Sequence, residues 1–415
     1  MNQLTLDFRT LTPLWTGGAR RRCDQVRETG LLGSLRWWYE GVVRGLGGVA
    51  CDPSQGGCSF DLEAYEKAVA TGKKVSAALA QAGLCPACQL FGATGWKRRF
   101  RLEVTGLEPH PLFFMASPQV YQAAGNWLWR MFGGQDTGGT KTGRGAETRF
   151  TFGSPVLWGE QANLQITALE PGDDETLKRL AFLLDTVTRY GGLGAKTQNG
   201  FGQIKIPDGL TAAQVAEGKV LVRQDVLDHV ERARESSKGK SGKSQNDRLF
   251  NLRNFFPRTY EIRDAEPYIQ KLRPIGPPSQ PHLRHYVPCA FDIRYKSRQR
   301  NPFSGLGQDF GLRPWFRQRF GQEVAERLFG GVDKEGNRSA GRIRVSHLFK
   351  EPGSDHWRLK IWGEAPPGIW EGLERYPALE EITQSIDEFI GGPQGMFPGS
   401  QAIPAYEFKP EEFCA

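Results

Sequence analysis

A glycine-rich segment between residues 191 and 202 has the composition of a phosphate-binding loop. Five of its twelve residues are glycine, and it follows directly on a predicted helix. Glycine accepts positive φ angles and close approach, so the backbone amides of such a loop can face an anion. Lysine adds a point charge there, and two amide side chains add donors. The candidate phosphate contacts are Gly192, Gly194, Lys196, Gln198 and Asn199.

The order of elements around this segment argues against nucleotide hydrolysis. A Walker loop follows a strand and precedes a helix, whereas this segment follows a helix and precedes a strand. Three interpretations stay open: contact with a nucleic-acid backbone, a mobile surface loop, and a tight crossover from helix to strand. We favour phosphate contact, and we expect no nucleotide cofactor.

A second candidate lies at the start of the first predicted helix. Gly30 and Gly33 allow close approach at this end, where free backbone amides attract anions. Ser34 and Arg36 lie within the first turns and can grip a phosphate. An arginine in this apolar context needs a partner, which favours RNA contact. Trp37 can stack on a base, although packing in the core explains it better.

Residues 96–101 combine basic and aromatic side chains. Lys97, Arg99 and Arg101 share one face of a predicted strand, opposite Phe100. Such a strand suits stacking and phosphate contact on single-stranded nucleic acid, and a solvated charged face is the alternative. Four further basic candidates lie in loops, two of them in the glycine-rich stretch 133–145: Arg20, Arg21, Lys141 and Arg144.

Four cysteines have spacings that suit a metal site. Cys85 and Cys88 form a Cys-x-x-Cys pair, which is half of a zinc knuckle, and Cys51 and Cys58 can supply the other half. Four thiolates in a tetrahedron bind structural zinc. The alternative is four buried thiols. No constellation typical of an acid–base or nucleophilic enzyme accompanies them, so we expect no catalytic residue.

The composition favours a polyanionic partner. The chain has 415 residues, with 54 Lys and Arg against 46 Asp and Glu, which gives a net charge of +8. This excess most simply indicates nucleic acid. No apolar run reaches the ~18 residues of a membrane-spanning helix, and the first residues alternate like a strand rather than a secretion signal. We therefore expect a cytoplasmic protein with no membrane partner.

Strand and helix patterns predict an α+β protein with two domains. Residues 1–215 would form a first domain with a cysteine-containing insertion and the glycine-rich loop. Residues 216–247 read as a helix followed by a flexible Ser/Gly/Lys linker. Residues 248–415 would form the second domain, with a strand near 290–295 and a helix near 314–328.

Several motifs resemble the RAMP superfamily of CRISPR proteins, and most closely the first-numbered Cmr subunits of type III-B effector complexes. The resemblance extends across roughly residues 1–205. A partial repeat, Leu-Phe-Gly before a basic strand, occurs at residues 90–92 and again at 328–330. The motifs are Leu11-Thr12-Pro13-Leu14-Trp15-Thr16-Gly17-Gly18, Gly33-Ser34-Leu35-Arg36-Trp37-Trp38, Cys85 to Trp96, and the glycine-rich segment.

The resemblance implies two ferredoxin-like (RRM-like, βαββαβ) RAMP domains in tandem, with loop insertions. It implies a non-catalytic RNA-binding subunit that holds the 3′ part of the guide CRISPR RNA and helps to capture target RNA for antiviral defence, beside other Cmr and RAMP subunits. The family's RNA-contacting loop maps onto residues 191–202, and its Ser-x-Arg helix start onto Ser34 and Arg36. Two rivals stay open: a metal-independent endoribonuclease that processes guide precursor RNA, and a zinc-stabilised scaffold that binds only neighbouring proteins.

Overall fold

The computed structural model describes residues 2–18, 22–52, 56–110, 113–116, 148–151, 155–236, 248–272, 285–294, 311–331, 339–410 and 413. Helices and strands are interspersed along these residues, which confirms the predicted α+β class. Within the described part of the chain, no helix combines the length and the apolar character that crossing a membrane would need.

The first half is built on a four-stranded antiparallel sheet. Its first strand, β1 (Gln3–Thr10), alternates buried and exposed side chains, so that Leu4, Leu6 and Phe8 point into the core. Leu4 lies opposite Ile166 of the neighbouring strand. The sheet order is β2-β7-β1-β8, in which β2 is Phe100–Thr105, β7 is Ala162–Ala168 and β8 is Ile204–Lys205.

Two long helices contribute to the core of this half. Helix α1 (Glu28–Gly45) buries Leu31, Leu35 and Trp38, whose helical spacing predicted it. Helix α5 (Asp174–Tyr190) begins at Asp173, whose carboxylate accepts a hydrogen bond from the amide of Thr176. The other helices are α2 (Leu62–Ala70), α3 (Val75–Gln81), α4 (Pro86–Phe91) and α6 (Ala212–Ser236).

Helix α6 packs along α5 and is tied to it by a buried ion pair. The Arg179 guanidinium donates to both carboxylate oxygens of Asp225, at 2.7 and 2.8 Å. Such a bidentate pair fixes the relative position of the two helices. Two short strand pairs complete the first half, β3 (Glu108–His110) with β6 (Val156–Trp158) and β4 (Phe113–Ala116) with β5 (Thr148–Thr151).

The second half has its own sheet and its own core. The strands β10-β12-β13-β9-β14 lie in this order, and β11 pairs with β13. Their bounds are β9 Phe255–Ile262, β10 Tyr286–Val287, β11 Arg344–Val345, β12 Leu348–Lys350, β13 Trp357–Glu364 and β14 Gln401–Ala402. The helices are α7 (Ala265–Leu272), α8 (Ala290–Arg294), α9 (Leu312–Phe320), α10 (Gln322–Phe329) and α11 (Leu379–Gly391).

Two predictions for the second half are wrong. The strand expected near 290–295 is the short helix Ala290–Arg294. The single helix expected near 314–328 is two helices, because Gly321 adopts a φ of 90° and breaks the turn between them.

The same strand order occurs in both halves. In the first half, the core strands are β1, β2, β7 and β8 in chain order. Across the sheet, the second lies beside the third, the third beside the first, and the first beside the fourth. In the second half, β9, β12, β13 and β14 lie in that same order. The partial repeat is confirmed as well, because Gly92 and Gly330 end α4 and α10 with φ of 90° and 83° and ψ of 159° and 153°.

An aromatic cluster joins the two halves. The Trp37 ring stacks on Phe250 with centroids 3.8 Å apart and planes 6° from parallel. The Arg344 guanidinium lies 4.7 Å from the Trp37 ring and 4.4 Å from Trp362. The core of the first half therefore continues into Phe250 and Trp362. Burial of these large aromatic side chains favours a fixed arrangement of the two halves.

Candidate functional site

The glycine-rich segment forms a loop that passes beneath helix α1. A Cβ atom at Gly191 would overlap the Trp38 ring. The Trp38 Nε1 atom donates to the Gly192 carbonyl at 3.1 Å, and the Gly194 amide donates to the Ser34 Oγ atom at 3.0 Å. Glycine at 191 is thus needed for packing inside the protein, whether or not a ligand binds.

Many backbone amides of this loop donate to protein oxygens. The Ala195 amide donates to the Trp15 carbonyl at 2.7 Å, and the Gly202 amide donates to Pro13 at 2.8 Å. The amides of Gly191, Leu193, Asn199 and Gly200 also have backbone acceptors. These amides are committed to the fold, so phosphate contact by the loop has to depend mainly on side chains.

Lys196 is the predicted contact that the structure places best for an anion. Its backbone is left-handed, with φ 57° and ψ 25°, and its Nζ atom lies 3.7 Å from the centroid of the Trp15 ring. Trp15 is buried, whereas Lys196 and Gln198 are partly exposed and Asn199 is buried. The Gln198 carbonyl accepts a hydrogen bond from Arg294 at 2.8 Å.

The start of helix α1 lies beside the loop. Gly33 is exposed, and a Cβ atom there would meet nothing within 4 Å. Gly30 is different, because a Cβ atom there would overlap the Thr16 carbonyl. The hydrogen bond between Ser34 and Gly194 makes the start of helix α1 a neighbour of the loop, an arrangement that the sequence did not predict.

Arg36 lies at the cysteine cluster. Its Nε atom donates to the Glu40 carboxylate at 3.0 Å, its Nη1 atom to the Gly92 carbonyl at 3.0 Å, and its Nη2 atom to the Cys88 sulfur at 3.2 Å. Burial alone would lower the pKa of Arg36, but Glu40 and the nearby sulfurs of Cys88 and Cys51 raise that pKa above its usual value. The partner that this arginine requires is supplied by the protein.

The predicted basic strand is paired with carboxylates along its length. Lys97 contacts Glu170 at 3.2 Å, and both side chains are exposed. Arg99 contacts Asp173 at 3.0 Å in a mostly buried pair. Arg101 contacts Glu103 at 2.7 Å on the same strand. Lys97 and Arg101 keep the exposure that RNA contact requires, whereas Arg99 also holds the start of helix α5.

The remaining predicted RNA contacts divide into two groups. Trp37 is stacked in the aromatic cluster between the halves, as the core-packing alternative predicted. Arg20, Arg21, Lys141 and Arg144 lie outside the described residues. The exposed face of the first sheet carries polar side chains in the described part of the chain, among them Thr5, Asp7 and Arg101.

The four predicted cysteines meet in one cluster. Their Sγ atoms all lie within 4.8 Å of one another, with 3.3 Å between Cys51 and Cys88 and 3.8 Å between Cys51 and Cys85. A tetrahedron with Zn–S bonds of ~2.3 Å places its sulfurs about 3.8 Å apart. The backbone amide of Cys85 also donates to the Cys58 sulfur at 3.4 Å.

The cluster favours a negative charge on one of its sulfurs, that of Cys51. Thiol donation from the other three cysteines lowers the pKa of Cys51 below its usual value. Contact with the Cys51 sulfur in turn raises the pKa of Cys58, Cys85 and Cys88. Since Arg36 brings a positive charge to the same sulfurs, the donor set fits a thiolate-bound metal ion.

Three residues at the loop lie outside the predicted site. Arg294, His347 and Lys360 reach it from the second half of the chain. Arg294 begins a basic cluster in the sequence that suits either nucleic-acid contact or a solvated face, and Lys360 interrupts the apolar strand Trp-Arg-Leu-Lys-Ile-Trp, whereas His347 gave no signal. Their role depends on how the two halves pack, which the sequence pattern does not specify.

Comparisons with known proteins identify one family. Residues 7–205 match the family model of the RAMP superfamily, and no curated protein matches the chain. Cmr1 from Pyrococcus furiosus, in its apo form, is 11% identical with a TM-score of 0.36, covering 93% of this chain and 96% of its own.

Two other solved structures are similar to the chain. A chain of the Type III-B Cmr-beta complex bound to cognate target RNA is 12% identical with a TM-score of 0.38, covering 92% of this chain and 99% of its own. Cmr6 from Pyrococcus furiosus is 12% identical with a TM-score of 0.23, covering 50% of this chain and 98% of its own. The family match over residues 7–205 confirms the resemblance to the RAMP superfamily for that part of the chain.

Proposed function

We propose that this chain is a non-catalytic RNA-binding subunit of a type III-B CRISPR effector complex. It holds the 3′ part of the guide RNA and helps to capture target RNA in antiviral defence, with other Cmr subunits as neighbours. The observation that carries the proposal is that the RAMP match, residues 7–205, includes a glycine loop that carries Lys196 and is joined to the start of helix α1 through Ser34.

In this proposal the two halves are ferredoxin-like RAMP domains in tandem. The strand order of both sheets supports it. A ferredoxin-like core consists of a strand, a helix, two strands, a helix and a strand. Its fourth strand lies beside its first, as in both of these sheets. In the second half, four helices and two short strands lie between the first and second core strands of the described sheet. In this proposal one of these helices is the core helix, and the other elements are the loop insertions that the resemblance implies.

The binding chemistry is that of side-chain charge at a ribose-phosphate backbone. Lys196 supplies a cation held over Trp15, and the bare backbone at Gly33 leaves room for a phosphate to approach. Contacts of this kind carry no sequence information. That property suits a protein that holds guides of varying sequence, since base pairing then reads the target.

The absence of catalysis is part of the proposal. His347 lies directly against Gly200 of the loop, but burial lowers its pKa to about 3, so it would be a weak base towards a ribose hydroxyl. We expect labelled repeat RNA to stay intact with the purified protein. Cleavage in the absence of other subunits would favour the endoribonuclease instead.

Substitution of Lys196 by alanine tests the RNA-binding role. Affinity for single-stranded RNA should fall equally for several unrelated sequences, and the slope of log affinity against log salt should decrease by about one unit. Lys350→Ala is the matched control, because Lys350 lies 5.0 Å from the Trp357 ring in the second half and is equally a lysine over tryptophan. Unchanged affinity in Lys196→Ala, or a loss restricted to some sequences, would contradict the proposal.

We further propose that the cysteine cluster holds a structural zinc ion. Cys51, Cys58, Cys85 and Cys88 would be its ligands, and their sulfur spacing supports a tetrahedral site. The bound ion would supply a fixed cross-link between the loop after α1 and the start of α4. Arg36 offsets the negative charge that four thiolates leave around a divalent ion.

A further inference from the structure

The end of helix α5, where the glycine loop begins, is held by a lysine from the other half of the chain. Lys360 is buried in strand β13. Its Nζ atom lies 3.0 Å from the Thr188 carbonyl, 3.1 Å from Arg189 and 3.4 Å from Gly191. A cation at the last carbonyls of a helix complements both their unsatisfied acceptors and the helix dipole.

The far end of the loop is held from the same half. The Arg294 Nη1 atom donates to the Gln198 carbonyl at 2.8 Å, and its Nη2 atom donates to Phe329 at 3.2 Å. The His347 amide donates to the Gly200 carbonyl at 3.3 Å. A Cβ atom at Gly200, where φ is 100°, would overlap the His347 ring.

We propose that the second half of the chain sets the conformation of the glycine loop through Lys360, Arg294 and His347, and thereby the affinity of Lys196 for an RNA backbone. Three residues hold the loop, Lys360 at its start and Arg294 and His347 in its second half, while Lys196 lies between these two places and is partly exposed. The ordering of the loop is independent of RNA, and only the effect on affinity depends on the proposed RNA-binding function.

Because of these contacts, the conformation of the loop depends on how the two halves pack against each other. The glycines accept the backbone angles, but the polar contacts select one conformation among the many that glycine permits. A neighbouring protein or RNA that shifted the second half would release the loop. Lys360, Arg294 and His347 are therefore positioning residues rather than RNA contacts.

Hydrogen–deuterium exchange of the full-length protein without RNA tests the ordering step. Lys360→Met should speed exchange of peptides covering residues 188–202 by about ten- to a hundredfold, because the hydrogen bonds from the Lys360 amine to the carbonyls at the helix end are lost. Lys360→Arg, which keeps a cation at the helix end, should restore at least part of the protection. Lys205→Met is the matched control, because Lys205 pairs with Glu351 across the halves at 2.7 Å and touches no residue of the loop in the described contacts.

The same variants separate this proposal from the proposed function. Faster loop exchange in Lys360→Met with weaker binding of single-stranded RNA supports both. Faster exchange with unchanged RNA affinity supports the ordering of the loop and refutes its role in RNA binding. Unchanged exchange refutes the inference. Should Lys360→Met fail to fold, Arg294→Lys, which keeps the charge but cannot reach both carbonyls, gives the same reading at the middle of the loop.

Discussion

Two glycines in helix α1 should respond in opposite directions to the same substitution. At Gly41, a Cβ atom would overlap the edge of the Phe250 ring. That ring cannot move aside easily, because it is stacked on Trp37 at 3.8 Å and lies edge-on to Trp38 at 5.3 Å. At Gly33, a Cβ atom would meet nothing within 4 Å.

The magnitudes decide the sign at each position. Replacement of glycine by alanine within a helix gains about 0.5–1 kcal/mol. Overpacking a core typically costs about 1–3 kcal/mol. We therefore expect Gly33→Ala to stabilise the protein by about 0.5–1 kcal/mol and Gly41→Ala to destabilise it by about 1–2 kcal/mol.

Urea unfolding followed by far-UV circular dichroism measures both effects as shifts of the midpoint. Each variant controls for the other, since both carry the same substitution in the same helix. A Gly41→Ala protein as stable as the parent would mean that Phe250 does not lie against α1. It would thereby refute the aromatic junction between the halves, on which the position of the glycine loop depends.

Three further outcomes follow from buried groups. Cys88→Ser should abolish the binding of zinc and lower the melting temperature. The control is Cys23→Ser, which changes a buried cysteine outside the cluster and should keep the metal. Equal zinc content of the two variants by mass spectrometry would contradict the site. Burial lowers the pKa of Lys360 to about 7. Above that pH the unfolded chain therefore binds more protons than the folded one. The free energy of unfolding should rise by about 2 kcal/mol from pH 7 to pH 9. Lys360→Met should lose this slope, and an equal slope in the variant would assign it elsewhere. Arg179→Met should cost about 3–5 kcal/mol in urea unfolding, since it leaves the Asp225 carboxylate buried without its partner; a loss near zero would show that the pair is not buried.

The first half was predicted well because its elements have one buried face. Alternation at Leu4, Leu6 and Phe8 predicted β1, and helical spacing from Leu31 predicted α1. The cysteine cluster was also predicted from local signals. Cysteine is a soft metal ligand, and two pairs of cysteines close together in the sequence leave few other arrangements. In each case the signal is local in the sequence.

The second half was predicted less well because its first strand lacks that signal. Strand β9 is buried at most positions instead of alternating, and it contains Pro257, which argues against a strand inside a sheet. Pro257 is tolerated opposite Trp362 of β13. Residues 290–294 are apolar enough for a strand, but a helix of five residues carries no periodic pattern to distinguish it.

The sequence predicted several residues of the site, but it did not predict which residues they contact. The sequence identified glycines, Lys196 and Arg36 as unusual, but the reason lies in partners distant along the chain. Gly191 packs on Trp38, and Arg36 donates to Cys88. A single sequence shows that a residue needs a partner, and it does not show whether the protein or a ligand supplies it.

Helix α1 connects the cysteine cluster, the second half of the chain and the glycine loop. Arg36 donates to the cysteine cluster, while Arg44 donates to the carbonyls of Cys51 and Phe250. Ser34 accepts from the amide of Gly194 in the loop. One rigid helix therefore transmits the position of the metal ligands and of the second half to the loop. Because these contacts lie on different faces of the same helix, the cysteine cluster and the second half both determine where Lys196 is presented.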